Sequence, residues 1–231
     1  MAKPLLSSIW KGTRRAVLIL AGAGAAYFVI CLLALVAYRS FAPPITGVQI
    51  QRMVESWFED APYTFQYLPL PHDRIPPTLR HAAVAAEDGR FFEHNGIDWD
   101  AVGKARDDNR SGRRGRRGGS TISQQLVKNL FLTTHGTYLR KALEVPLTYL
   151  AELILPKERI LDLYVNVAEW GRGVYGAEAA AQHHYGKPAA QLSRRQAAAL
   201  AACLPSPRTR KPQRMDWYTD IILTRMRQMG Y

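Results

Sequence analysis

The strongest pattern in the chain is an unbroken apolar stretch. From Ala16 to Tyr38 it reads AVLILAGAGAAYFVICLLALVAY with no charged residue. As a helix rising ~1.5 Å per residue, this run extends ~35 Å, enough to cross a bilayer with some tilt. A cleaved secretory signal has an apolar run of only ~7 to 15 residues and a small-residue cleavage site. The run here is longer and no A-x-A site stands just before Pro43-Pro44, so the pattern predicts an uncleaved transmembrane helix over 16–38. Lys3, Lys11, Arg14 and Arg15 precede it, and Arg39 alone follows it closely. By the positive-inside rule, residues 1–15 are expected in the cytoplasm and the rest of the chain outside.

Beyond the span the pattern changes twice. Residues 39–77 carry Pro43, Pro44, Pro62, Pro69, Pro71, Pro76 and Pro77, which resist long regular structure and predict a connector with one short helix over Gln49 to Phe58. From residue 78 onward the apolar positions follow a helical period. Thr78 is expected to cap a helix through Ala86, which puts Glu87 near its C-terminal end. Gly118-Gly119 interrupt the chain, and Ser120 or Thr121 then caps a helix that turns Ile122, Leu126, Val127 and Leu130 inward and carries Gln124 and Lys128 on another face. A further helix starts near Thr137, with Arg140 and Glu144 one turn apart, and Pro146 is expected to break it near Ala142. Pro156 opens the next helix, with Ile160, Leu161, Tyr164 and Val165 inward. Gly171, Gly173 and Gly176 mark a turn, and Ser193 with Gln196 has the spacing of a capping box. No repeat is visible and the strand signal is weak. The fold class expected is mainly α: one transmembrane helix followed by a single helical domain over 78–231.

Composition adds charge to this picture. The 231 residues carry a formal net charge of +12, which suits nucleic acid, anionic lipid or a phosphate-bearing substrate equally. Much of it lies in Arg110, Arg113, Arg114, Arg116 and Arg117, set among glycines. That segment has no aromatic residues on which bases would stack, so it reads as a solvated loop able to touch anionic headgroups rather than as a nucleic-acid site. Cys31 lies in the span and Cys203 in an Ala/Leu-rich helix, so no internal disulfide framework and no cysteine metal site is expected.

Two polar clusters carry the chemistry. The first is Glu87-Asp88 followed by Phe91, Phe92, His94 and Gly96. A surface acidic pair needs none of these neighbours. An apolar wall raises a carboxyl pKa by desolvation, the end of a helix dipole does the same, and a histidine can orient the group, all of which suits a general base. The second is Ser120-Thr121 with Gln124, Gln125, Lys128 and Asn129. Alone it could be a polar helix face, but a helix N-terminus after Gly118-Gly119 offers N–H donors and partial positive charge to a phosphate, and Lys128 can add a full charge. Arg140 and Glu144 read equally as a simple helical ion pair. Tyr164 and Asn166 read as buttresses, with Asn166 also able to hydrogen-bond a sugar. His94 has no second ligand at useful spacing, so a zinc site is not expected.

Four clusters in order, Glu87-Asp88-x-x-Phe91-x-x-His94-x-Gly96, Gly118-Gly119-Ser120-Thr121-x-x-Gln124-Gln125-x-x-Lys128-Asn129, Arg140-Lys141-x-x-Glu144 and Lys157-x-x-Ile160-Leu161-Asp162-x-Tyr164-x-Asn166, resemble the peptidoglycan glycosyltransferases of glycosyltransferase family 51. The resemblance covers roughly Thr78 to Pro207. It implies a lysozyme-like helical fold and polymerisation of lipid II into β-1,4-linked glycan strands with release of undecaprenyl diphosphate. It implies Glu87 as the general base for the acceptor 4-hydroxyl, and Glu144 as the second glutamate, assisting or holding the departing diphosphate. Lys128 and Arg140 match cations near that diphosphate, while Ser120, Thr121, Gln124, Gln125 and Asn129 match the cleft, and Lys104 stands where some members carry arginine. The chain also departs from the family. Gly136 replaces the usual arginine four residues before Arg140, a gap that His135 or the arginine loop would have to fill, and Asp162 stands where glutamate is commoner. The chain ends at Tyr231 without the transpeptidase domain of a bifunctional penicillin-binding protein, so it looks like the monofunctional branch. The implied partners are lipid II, the growing strand, the bilayer and cell-wall synthesis machinery, with no nucleic acid. The implied place is the inner membrane, with the catalytic domain on the periplasmic side. A divalent cation, Mg or Mn, could bridge the diphosphate, although no carboxylate cluster requires one. The rival readings are a lysozyme-like enzyme that cleaves glycan, which needs no diphosphate site, and a non-catalytic membrane protein binding anionic lipid or nucleic acid through its arginine loop.

Overall fold

The computed structural model describes residues 3–111 and 118–231; Arg113, Arg114, Arg116 and Arg117 of the expected arginine loop lie outside the described residues. Helix α1 (Lys3–Tyr38) is followed by α2 (Gly47–Ser56), the short strand β1 (Gln66–Tyr67), α3 (Pro77–Glu87), α4 (Trp99–Ser111) and α5 (Ile122–Phe131). Then come α6 (Tyr138–Ile154), α7 (Lys157–Val167), strands β2 (Glu169–Gly171) and β3 (Val174–Tyr175), α8 (Ala177–Tyr185), α9 (Arg194–Ala201) and α10 (Asp216–Gln228). The three strands form a sheet in the order β1-β3-β2, with β1 parallel and β2 antiparallel to β3.

Within α1, Gly12–Tyr38 is long and apolar enough to cross a membrane, with a mean hydropathy of 2.5. Its early part is exposed, as at Val17, Leu18, Ile19 and Leu20, but Cys31 and Leu35 are fully buried against the domain. Tyr27 donates to the Phe131 carbonyl at 2.8 Å, and Arg159 from α7 reaches the carbonyls of Tyr38 and Phe41, each at 2.7 Å. The C-terminal part of α1 is therefore part of the domain's packing rather than a tether.

The core lies where α5 crosses α6 and α7 and where α3 meets α9. Leu126, Val127, Leu147, Ile160, Leu163 and Tyr164 are buried between the first group. Alanines at 82, 83 and 85 of α3 face a layer that includes Ala197, Ala198 and Ala201 of α9, and such small side chains let two helices approach closely. The helix starts follow the capping rules at Thr46, Thr121 and Ser193, each with a reciprocal bond to a glutamine three residues on.

Three expectations are corrected. Thr78 does not cap α3, because Pro77 occupies its first turn with its φ already set for a helix. The connector helix starts earlier than Gln49, since Thr46 and Gln49 form a capping box there. Helix α6 runs continuously through Pro146 instead of ending near Ala142. Its buried face of Glu144, Leu147, Thr148 and Ala151 brackets the proline, and tertiary packing of that face outweighs one lost backbone bond. Helices α4, α8 and α10 had no sequence assignment. The first, WDAVGKARDDNRS, is mostly polar and shows little periodicity.

Gly96 ties the segment after α3 to α6. Its φ is +92°, and a Cβ there would stand 2.9 Å from Thr148 Cγ2 and 3.1 Å from Glu152 Cγ. Gly96→Ala should cost about 1 to 3 kcal/mol through backbone strain and crowding, read as a lower thermal midpoint. An unchanged midpoint would show that the loop relaxes freely.

Candidate active site

Glu87 is the last residue of α3. One oxygen, Oε1, is enclosed and has no hydrogen-bond partner among the described residues. The other, Oε2, accepts from Gln125 Nε2 at 2.6 Å, and Gln125 Oε1 in turn accepts from the Tyr164 hydroxyl at 3.0 Å. The tyrosine therefore fixes which end of the amide faces the carboxylate. Burial keeps the Tyr164 phenol protonated, well above its ordinary pKa, so it remains a donor. Burial also pushes the Glu87 carboxyl up; Gln125, Lys128 and Arg210 pull it back and Asp88 adds to the rise. The result is a carboxylate with one bound and one free oxygen, more basic than an exposed glutamate.

Asp88 has a different task. His94 Nε2 lies 3.1 Å from both of its oxygens, and Asp88 Oδ2 accepts from the backbone N–H of Ile122 at 2.9 Å. Two expectations change here. The histidine orients Asp88, not Glu87, and the first N–H of α5 is occupied by Asp88 rather than open to a phosphate. A carboxylate tethered at a helix N-terminus is favourable in its own right. Thr121 accepts from the Gln124 N–H while Gln124 Oε1 accepts from the Thr121 N–H, and the Thr121 hydroxyl donates to the Gly96 carbonyl. These two side chains therefore hold the helix start together. Ser120 is exposed.

Lys128 stands one turn beyond Gln124. Its ammonium has no ion pair or hydrogen bond among the described residues. Burial pulls its pKa down. The carboxylates of Glu144 and Glu87 oppose that pull, and the cations Arg140 and Lys141 add to it. A desolvated cation thus feels both glutamates without an ion pair to either among the described residues. Glu144 is almost fully buried at 2 % exposure, and both of its oxygens are taken, one by Arg140 Nη1 and the other by Lys141 Nζ. Arg140 also donates to the His135 carbonyl at 2.8 Å. Asn129 on α5 is buried.

A cleft of about 670 Å³ opens next to these cations, lined by Ile97, Trp99, Val102, Arg106, Lys141 and Val145, with Ser120, Gln124 and Arg110 also in its wall. Neither Glu87 nor Lys128 is in that wall; Lys141, bound to Glu144, joins the two regions. Lys104 is exposed on α4 and does not line the cleft. Asn166 lies elsewhere: it is buried, and its amide binds both the N–H and the carbonyl of Leu70, at 2.9 and 2.8 Å, leaving neither end for a sugar. The His135 ring, next to Gly136, turns toward Gln51 and Glu55 of α2. Among the described residues no three His, Cys, Asp or Glu side chains gather as metal ligands, and Glu144 is already committed to two cations. The side chains that sequence reasoning left out are Arg106, Trp99 and Arg210, while Lys141 was quoted in a motif without a role. The first two sit on α4, which the hydrophobic pattern did not reveal, and Arg210 is distant in sequence from every motif.

A family described as Transglycosylase matches residues 53–228. A biosynthetic peptidoglycan transglycosylase of Bordetella pertussis is 48% identical over 201 residues, covering 84% of this chain and 82% of that protein. A protein of the same description from Rhodospirillum centenum is 46% identical over 215 residues, covering 92% and 88%. One from Janthinobacterium sp. is 52% identical over 161 residues, covering 68% and 70%.

Proposed function

The chain belongs to the transglycosylase family, and from that premise we propose how its site carries out peptidoglycan glycosyl transfer. The protein is a peptidoglycan glycosyltransferase. In this reading the Glu87 carboxylate takes the proton from the acceptor 4-hydroxyl of lipid II. The oxygen so exposed attacks the anomeric carbon of the growing strand, whose bond to the lipid diphosphate breaks with inversion. Charge gathering on the departing diphosphate is met by Lys128, with Arg140 and Lys141 beside it. Preorganised charge of this kind is the largest contribution to many such steps. The carrying observation is the pairing of a buried, unpartnered Glu87 oxygen with an unpaired Lys128 that senses both glutamates. Hydrolysis of finished glycan needs the former but not the latter.

Glu144 is held by two cations, so its part is to aim Arg140 and Lys141 rather than to deliver a proton. Glu144→Gln should lower kcat/KM by about ten- to a hundredfold, about 1.4 to 2.7 kcal/mol of transition-state stabilisation, with a residual rate. Unchanged kinetics would assign Glu144 to folding alone. The apolar cleft beside Lys141 suits the polyprenyl chain, with the diphosphate at its cationic end. Gly12–Tyr38 anchors the enzyme in the inner membrane, with the cations before the span inside and the domain on the periplasmic side, where enzyme and lipid substrate share one surface. The described residues form no cage of three His, Cys, Asp or Glu side chains for a divalent cation, and no step is routed through one.

The deciding experiment supplies purified protein with labelled lipid II, with and without chelator. Polymer is expected. Degradation of finished strands without polymerisation would support the cleaving rival instead.

A further inference from the structure

Helix α3 ends at Glu87, so the residue read as the base sits on the helix's last turn. The last turn of a helix leaves carbonyls unpaired and concentrates about half a negative charge there. Here Asp88 N–H closes onto Val84 at 2.9 Å, and the next two carbonyls are taken by side chains from α10. Arg225 Nη1 donates to the Ala85 carbonyl at 3.1 Å, and the Tyr218 hydroxyl donates to the Ala86 carbonyl at 3.2 Å. The ring of Tyr218 carries the guanidinium of Arg210 at 5.6 Å, and Arg210 Nη1 donates to the Ala202 carbonyl at the end of α9, at 2.9 Å. Since α9 packs on α3, Arg210 is braced between two helices that hold the base-bearing one.

We infer that Arg210, Tyr218 and Arg225 form a positioning cap for Glu87: they fix the last turn of α3 and shield the base from the negative end of its own helix. This rests on the reading of Glu87 as the base. None of the three belongs to the four sequence clusters described above, and all come from the segment after α9. Glu87 needs support of this kind because only one of its oxygens is held by a side chain, that of Gln125. The charged and titratable groups that bear on it are Asp88 on its own strand of chain, Lys128 from α5, Tyr164 from α7 and Arg210 from the segment before α10. Arg210 and Lys128 are the two cations among them. Lys128 is read above as serving the diphosphate, which leaves Arg210, with Arg225 on the Ala85 carbonyl, to serve the base.

The test is the pH profile of kcat/KM for lipid II polymerisation by the full-length protein, with unfolding midpoints recorded alongside. Arg210→Gln should move the acidic limb to higher pH by about 0.5 to 1 unit, less than the one to three units of a cation in direct contact, and Arg210→Lys should return it. Tyr218→Phe keeps the ring and removes the donor to Ala86. It should lower kcat by about tenfold through misplacement of the base, with KM and midpoint unchanged. An unmoved limb in Arg210→Gln, with Glu87→Gln still inactive, would overturn the cap while leaving the base in place. Turnover by Glu87→Gln would remove the base itself, and the cap with it.

Discussion

Replacing Glu87 by glutamine should abolish polymerisation, by about a hundred- to ten-thousandfold in rate, while leaving the protein folded and still able to bind lipid II. The amide preserves shape and can still accept from Gln125, whose orientation is fixed by Tyr164. What it loses is the basic, unpartnered Oε1. The same change has a signature in stability. Burial raises the folded-state pKa of Glu87, so the native protein holds its proton to higher pH than the unfolded chain does. The native state is favoured below the unfolded pKa, and that advantage is lost as pH rises through the raised value. At neutral pH the enclosed carboxylate is therefore a net cost, and Glu87→Gln should unfold at the same temperature as the parent or a higher one, with the gain shrinking toward acid pH. Loss of activity with a retained or raised midpoint identifies a base kept at the expense of stability. Near-normal turnover in the variant would remove Glu87 from the reaction.

The motifs could be read from the sequence because they depend on local geometry. Thr121 was one of two candidates to cap a helix, and it does; the order Glu87, Lys128, Glu144 along three helices needed only the helical period. What escaped was which partner each charged group finds. Asp88 and Glu87 are adjacent in the chain, and nothing local says that Asp88 takes His94 and the N-terminus of α5 while Glu87 meets Gln125. Asn166 looked as available as Gln125 until its amide met the backbone of Leu70. Pro146 looked like a break because the penalty of proline is local, whereas the face of α6 that keeps it helical is buried by α5 and α1. Arg210 had no local signal, since its place over Tyr218 depends on how α9 and α10 pack.

Lys128 separates synthesis from cleavage more sharply than either glutamate, because hydrolysis of a finished strand has no use for a cation aimed at a diphosphate. Its ammonium is desolvated and unpaired, with its pKa drawn down by burial and held up by Glu144 and Glu87, a costly arrangement for a merely structural lysine. Lys128→Gln should therefore leave the unfolding midpoint equal or raised, while lowering kcat/KM by about a hundred- to a thousandfold, the scale of losing one preorganised donor to developing charge. Lys128 also helps hold the Glu87 carboxyl down, so its removal should shift the acidic limb of the pH profile to higher pH as well. The two readouts test different things. A loss of rate at every pH reports the diphosphate, whereas a displaced limb reports the coupling to the base. Lys128→Arg keeps the charge and should retain the limb even where the bulkier head reduces the rate. Full activity in Lys128→Gln at its pH optimum would detach the lysine from the leaving group, and with it the feature that favours polymerisation over hydrolysis.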